Sequence, residues 1–137
     1  MPSSTRFPIP RPLRDRLERL GQEFLADFLE RATVRHPENA EALAELAGVL
    51  TSLGRLEEGL AADEKLVELV PENPTVHYNL ACSLALLGRR DSALAALERA
   101  IQLGYKDGEH LLEDEDLASL RDEACFRELV IRLGGEV

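Results

Sequence analysis

The sequence predicts an all-α fold built from consecutive helix pairs. A 34-residue self-similarity occupies the middle of the chain, and a glycine follows the apolar stripe of successive helices. Aromatic residues make up only 4% of the composition. A core of Leu and Ala suits closely packed helices, whereas a β-sandwich requires Val, Ile and aromatic side chains. A chain of 137 residues is long enough for one domain with a continuous core.

The self-similarity consists of two segments that align without a gap, residues 40–73 and residues 74–107. Apolar or small side chains occupy the aligned positions: Leu46 with Leu80, Ala47 with Ala81, Leu50 with Leu84, Leu53 with Leu87, and Gly54 with Gly88. Because these residues recur at helical spacing and stop at a glycine, each segment is predicted to form two helices.

The boundaries inside and between the two units carry their own signals. Gly88 is predicted to follow the first helix of the second unit as its C′ residue, and Asp91-Ser92 to provide the N-cap of the next helix. Pro71 and Pro74 mark the junction between the units, since proline cannot continue a helix interior.

The flanking segments complete the predicted domain, which spans residues 13–137. Residues 13–39 form a partial, degenerate unit that ends in the same Pro-Glu-Asn run as the first full unit. Residues 108–137 are predicted to form a capping helix pair, because the last unit would otherwise expose an apolar side. Residues 1–12 contain four prolines and are predicted to be an extended arm.

This pattern resembles the tetratricopeptide repeat family. The resemblance rests on Leu43, Leu46, Ala47, Leu50, Gly54 and Pro71 in the first unit, and on Leu80, Ala81, Leu84, Gly88, Ala93 and Ala100 in the second. The end of the chain resembles the run that closes bacterial arrays of this family, through Leu112, Asp114, Asp116, Leu117, Leu120, Arg121, Phe126 and Leu129. The resemblance implies a right-handed α-α superhelix that binds proteins and is not an enzyme.

The sequence departs from the family pattern at three positions. Asp63 stands where an aromatic residue is usual, Leu66 where alanine is usual, and Tyr105 where proline is usual. The first two departures predict looser packing of the second helix of the first unit.

The resemblance also implies a concave groove lined by the first helix of each unit. The implied groove residues are Glu41, Ala44, Glu45, Gly48, Thr51, Ser52, Thr75, Tyr78, Asn79, Cys82, Ala85 and Leu86. Some family members clamp a peptide carboxylate with basic residues at such positions, but here only Asn79 matches that clamp. The sequence therefore predicts a small apolar centre around Tyr78, the best hot-spot candidate, flanked by Glu41 and Glu45. A basic or amphipathic peptide would suit this groove.

Charge and motif content disfavour other classes of function. The net charge of −10 argues against nucleic acid and anionic membrane as partners.

We find no phosphate loop, nucleophile elbow or calcium loop, so neither catalytic residues nor a cofactor are predicted. His110 precedes Glu113 and Asp114 by helical spacing, yet further ligands at metal spacing are lacking, so no metal is predicted. The first 14 residues lack the apolar stretch of a signal peptide, so a cytoplasmic location is predicted. Cys82 and Cys125 are expected to stay reduced in that compartment.

Two alternatives to a peptide-binding scaffold remain open. Charge alternates along the chain, from about +2 over residues 1–37 to about −7 over 38–73, about +2 over 74–106 and about −7 over 107–137. Such blocks would suit a structural or homo-oligomerisation subunit of a larger assembly. A metal-binding or enzymatic protein is the second alternative.

Overall fold

A computed structural model describes residues 8–136, and every regular element in that range is helical. The helices, in chain order, are α1 (Arg11–Arg35), α2 (Ala40–Ser52), α3 (Leu56–Leu69), α4 (Pro74–Leu86), α5 (Arg90–Gln102), α6 (Gly108–Glu113), a 3₁₀ segment (Glu115–Leu120) and α7 (Ala124–Arg132). Each of the first four helices packs against the next one. The prediction of an all-α solenoid of helix pairs is therefore confirmed.

Local chemistry sets most of the helix boundaries. The Asn39 side chain accepts a hydrogen bond from the Ala42 amide at the start of α2, and Asn73 accepts one from the Thr75 amide at the start of α4. Gly54 and Gly88, which follow α2 and α4, have φ angles of 78° and 75°, which other residues rarely adopt. These glycine stops were predicted correctly.

Two predicted boundaries are wrong. Helix α5 begins at Arg90 after Arg89, which forms no side-chain cap, so Asp91 lies in the first turn. Its carboxylate can interact favourably with the positive end of the helix dipole without accepting a capping hydrogen bond.

Helix α1 begins at Arg11 and includes Pro12, both assigned to the extended arm by the sequence. Proline is compatible with a first turn because that turn needs no amide donor. Residues 1–7 of the predicted arm lie outside the described residues.

Helices α2 and α3 approach each other closely at Gly59. A Cβ atom on Gly59 would lie 2.8 Å from the Thr51 hydroxyl oxygen, closer than packing allows. Leu60 and Leu66 on the same helix are buried, with Leu66 only 1% exposed. The looser packing expected for α3 is therefore not observed, and the small residue at position 59 is a requirement of the helix pair.

The C-terminal cap, residues 108–136, folds back over the second repeat. Its 3₁₀ segment packs against α4, and α7 packs against α5 and α6. Leu111, Leu117, Leu120 and Phe126 from the cap are fully buried in the core shared with α4 and α5. The cap thus covers the apolar side of the last repeat and also reaches the face of α4 that the sequence assigned to the groove.

The candidate site between α2, α4 and the cap

Helices α2 and α4 border a cavity of about 310 Å³, which we call the α2–α4 cavity. Seven of the twelve predicted groove residues line it: Ala44, Gly48, Thr51, Ser52, Tyr78, Asn79 and Cys82. The other five, Glu41, Glu45, Thr75, Ala85 and Leu86, lie outside the lining. Six residues that the sequence did not assign to the groove also line the cavity: Ala47, Asp63, Ser83, His110, Asp114 and Asp116.

Part of the predicted apolar centre of the groove is not accessible, because the cap covers much of α4. Tyr78, Cys82 and Ala85 are all buried, and Tyr78 is only 5% exposed. The Ser119 hydroxyl of the 3₁₀ segment donates to the Ala85 carbonyl at 3.4 Å, which places the cap directly over that turn of α4. A side chain that the cap covers cannot act as the exposed hot spot that we expected at Tyr78.

Tyr78 instead holds the cap in place. Its hydroxyl donates to a carboxylate oxygen of Asp114 at 2.5 Å, and its ring stacks on Tyr105 with centroids 4.6 Å apart. Burial and the bond to Asp114 raise the pKa of the Tyr78 phenol, because both disfavour a second negative charge here. The phenol therefore stays a donor and fixes the Asp114 carboxylate at the cavity wall.

Asp114 and Asp116 bring two carboxylates to the cap side of the cavity. Asp114 is the N-cap of the 3₁₀ segment and accepts a hydrogen bond from the Asp116 amide at 3.0 Å. Burial, and then the Asp114 charge, raise the pKa of Asp116. This acidic run therefore begins the 3₁₀ segment, with Asp114 as the capping residue.

Cys82 lies beside these two carboxylates. Its sulfur is 3.8 Å from an Asp114 oxygen, and the possible ligand atoms of all three residues lie within 4.8 Å of one another. Burial raises the pKa of the Cys82 thiol, and the charges of Asp114 and Asp116 raise it further. The thiol thus stays protonated and donates a hydrogen bond to Asp114. A metal ion would have to displace that proton to use the sulfur as a ligand.

His110 adds one imidazole at the rim of the cavity. Its Nε2 atom lies 3.6 Å from an Asp114 oxygen, and its ring centroid lies 5.5 Å from that of Tyr78. The sequence predicted the neighbourhood of His110 and Asp114 from helical spacing. Glu113, the other carboxylate considered with them, does not line the cavity.

Asp63 supplies the third carboxylate, from α3 at the floor of the cavity. It is 3% exposed and accepts a hydrogen bond from the Ser83 hydroxyl of α4. Burial raises the pKa of Asp63 to about 6, although the Ser83 bond acts in the opposite direction. The departure from the family pattern at position 63 is the sequence signal for this residue, although in sequence it indicates only looser packing.

Acidic groups dominate the electrostatics of this cavity. Three carboxylates line it, and among its lining residues in the described part of the chain there is no lysine or arginine. Because the cavity is partly enclosed, solvent screens these charges less than it screens charges on an open surface. The arrangement is suited to hold a cation, and the Asn79 side chain at the exposed edge adds an amide donor and acceptor.

The remaining histidine on these helices has a structural role. His77 is buried between the repeats, and its Nε2 atom lies 2.7 Å from the Pro71 carbonyl oxygen. This placement gives His77 a role in packing between the repeats. Cys82 and Cys125 are both free, as expected. None of the helices in residues 8–136 is long and apolar enough to cross a membrane.

Comparison with known families agrees with the repeat pattern. Two models described as tetratricopeptide repeat match the chain, one over residues 25–74 and the other over residues 74–107. Together they span residues 25–107, more than half of the chain. No curated protein matches the sequence significantly.

Proposed function

We propose a peptide-binding function for this chain, which belongs to the tetratricopeptide repeat family. Repeats of this family are generally modules for protein–protein interaction and typically act as non-catalytic scaffolds. The proposal for this chain is more specific. The α2–α4 cavity takes up a lysine or arginine side chain from a basic segment of another protein.

The acidic lining of the cavity carries this proposal. Asp63, Asp114 and Asp116 enclose a volume large enough for the end of one long side chain. Asp114 and Asp63 are already fixed by the Tyr78 and Ser83 hydroxyls, so binding would not have to order them. A preorganised carboxylate pair favours a cation because little conformational entropy is lost on binding.

The rest of the peptide would lie along the exposed face of α2. Ala44, Glu45 and Gly48 are exposed there, and Gly48 leaves room for a backbone to approach. Glu41 and Glu45, predicted as groove residues, would meet further basic side chains at the rim. Rim charges of this kind accelerate association more than they increase affinity.

The experiment is selection of peptides from a random displayed library on the immobilised full-length chain, followed by calorimetry on the selected peptides. We expect enrichment of lysine or arginine at one position. The Asp116→Asn variant should bind such a peptide at least about 10-fold more weakly, the loss expected for one charge-assisted contact. Glu128→Gln, an exposed carboxylate on α7, is the matched control and should bind like wild type.

The pH dependence of the affinity for the same peptide is a second test of the proposal. Protonation of Asp63, with its pKa near 6, removes one negative charge from the cavity floor. The affinity for a basic peptide should therefore fall as the pH decreases from 7 to 5. Selected peptides without a basic residue, or equal binding by wild type and Asp116→Asn, would refute the proposal.

A further inference from the structure

Helix α1 carries a line of exposed apolar side chains on the side away from α2, which we call the α1 stripe. Its members are Leu13 at 48% exposure, Leu17 at 51%, Leu20 at 61%, Phe24 at 76% and Phe28 at 60%. Spacings of four, three, four and four residues place them on one face of the helix. The opposite face packs on α2 through the buried Ala26 and Leu29.

The stripe is too large to be ordinary scatter of apolar residues on a surface. With roughly 200 Å² for a large apolar side chain, its exposed area is about 600 Å². Single scattered residues need no explanation, but a contiguous patch of this size marks an interaction surface.

The first half of α1 also lacks stabilisation from the rest of the chain. Every residue from Arg11 to Gly21 is exposed, although the segment is continuous helix. A helical stretch of this length is marginal in water without tertiary packing. Burial of the α1 stripe against a partner would supply the missing stabilisation.

We propose that the α1 stripe pairs with the α1 stripe of a second copy of this chain, in antiparallel orientation about a two-fold axis near Leu20. This arrangement sets the leucine half of one stripe, Leu13 and Leu17, against the phenylalanine half of the other, Phe24 and Phe28. Small and large side chains then alternate across the interface, which favours interdigitation. Two stripes together bury about 1,200 Å², above the roughly 1,000 Å² that a specific interface needs.

The charges beside the stripe support the antiparallel orientation. Arg16, Glu23 and Asp27 all flank the same edge of the stripe, with the basic residue near its start and the acidic ones near its end. Antiparallel pairing brings Arg16 of each copy beside Glu23 and Asp27 of the other copy. Their present partners are exposed groups on the same helix, Arg19 for Glu23 and Arg31 for Asp27, both at 3.3 Å. Exposed pairs of this kind are weak and can be exchanged.

The first ten residues of the chain are a weaker candidate for covering the stripe. They contain only three large apolar side chains, Met1, Phe7 and Ile9, together with three prolines. Five exposed leucine and phenylalanine side chains exceed what three such residues can cover. The same segment carries no acidic residue that could pair with Arg16.

The test is sedimentation equilibrium of the full chain over a range of concentrations. A monomer has a mass of 15.2 kDa, so we expect a reversible species of about 30 kDa. Phe24→Asp should raise the dimer dissociation constant at least about 100-fold, since a two-fold axis applies the change twice. Ile131→Asp, at a 61% exposed apolar residue of α7, is the control and should leave the constant unchanged.

Mixing charge variants tests the orientation itself. Arg16→Glu alone and the double variant Glu23→Arg with Asp27→Arg should each dimerise more weakly than wild type, because like charges then face each other. An equimolar mixture should form a heterodimer in which opposite charges face each other at both ends of the pairing. A monomeric wild type at all concentrations would overturn the proposal, as would a dimer that only Ile131→Asp dissociates. Failure of the two charge variants to associate when mixed would overturn the antiparallel arrangement.

This test is independent of the proposed peptide binding. The α1 stripe and the α2–α4 cavity share no residue, so Phe24→Asp should leave binding of a basic peptide unchanged. Circular dichroism of the Phe24→Asp variant separates loss of pairing from loss of the fold. Only the first turns of α1 should lose helicity in it.

Discussion

Replacement of Asp63 by asparagine should increase the stability of the protein at neutral and alkaline pH. The carboxylate is buried on α3 with the Ser83 hydroxyl as its hydrogen-bond donor. An asparagine side chain has nearly the same shape and can accept the same bond through its carbonyl oxygen. The change therefore removes the buried charge and leaves the packing nearly unaltered.

The expected magnitude follows from the pKa of Asp63, which folding raises from 3.8 to about 6. Well below pH 3.8 the folded and unfolded chains both hold the proton, and ionisation costs no stability. Between pH 3.8 and about 6 the unfolded chain has released the proton while the folded chain still holds it, so stability falls across this range and levels off above it. At about 1.4 kcal/mol per pKa unit, the wild type loses about 3 kcal/mol of unfolding free energy by pH 7.

The assay is urea denaturation of wild type and Asp63→Asn at intervals from pH 4 to pH 8. The difference in unfolding free energy attributable to this charge should be about 0.5 kcal/mol at pH 4 and reach about 2–3 kcal/mol in favour of the variant at pH 8. Glu68→Gln, an exposed carboxylate on the same helix, is the control and should show a difference within about 0.5 kcal/mol throughout. A variant that is less stable than wild type at pH 8, or a difference that does not change with pH, would refute the reasoning.

Three further measurements test the packing of the helices and of the cap. Gly59→Ala should destabilise the protein by about 1 kcal/mol, despite the better helix propensity of alanine, because the new Cβ would clash with the Thr51 hydroxyl. In a double-mutant cycle measured by urea denaturation, the same change made together with Thr51→Ala should be neutral or stabilising. Ellman's reagent should modify Cys125 within seconds and Cys82 only on unfolding, because Cys82 is buried and its pKa is raised; two equally fast thiols would contradict this placement. Folding raises the pKa of both tyrosines in the chain, so in a spectrophotometric titration neither phenol should ionise near pH 10 while the protein stays folded. In the urea-unfolded chain both phenols should ionise near pH 10.

The sequence by itself determined the repeat architecture, because the signals for it are local. Leucines at helical spacing mark the buried face of each helix, and Gly54 and Gly88 end two of them. Asn39 and Asn73 begin the helices that follow, each through a bond to an amide two or three residues away. Interactions of such short range depend little on the rest of the fold.

The tertiary structure alone decided what lines the groove. Tyr78 and Asp114 are 36 residues apart, and Asp63 and Ser83 belong to different repeats, so helical periodicity does not place them together. The path of the cap over α4 converts an expected apolar centre into an acidic cavity. The exposure of the α1 stripe is likewise a tertiary property, since a stripe of leucine and phenylalanine looks the same in sequence whether or not another helix covers it.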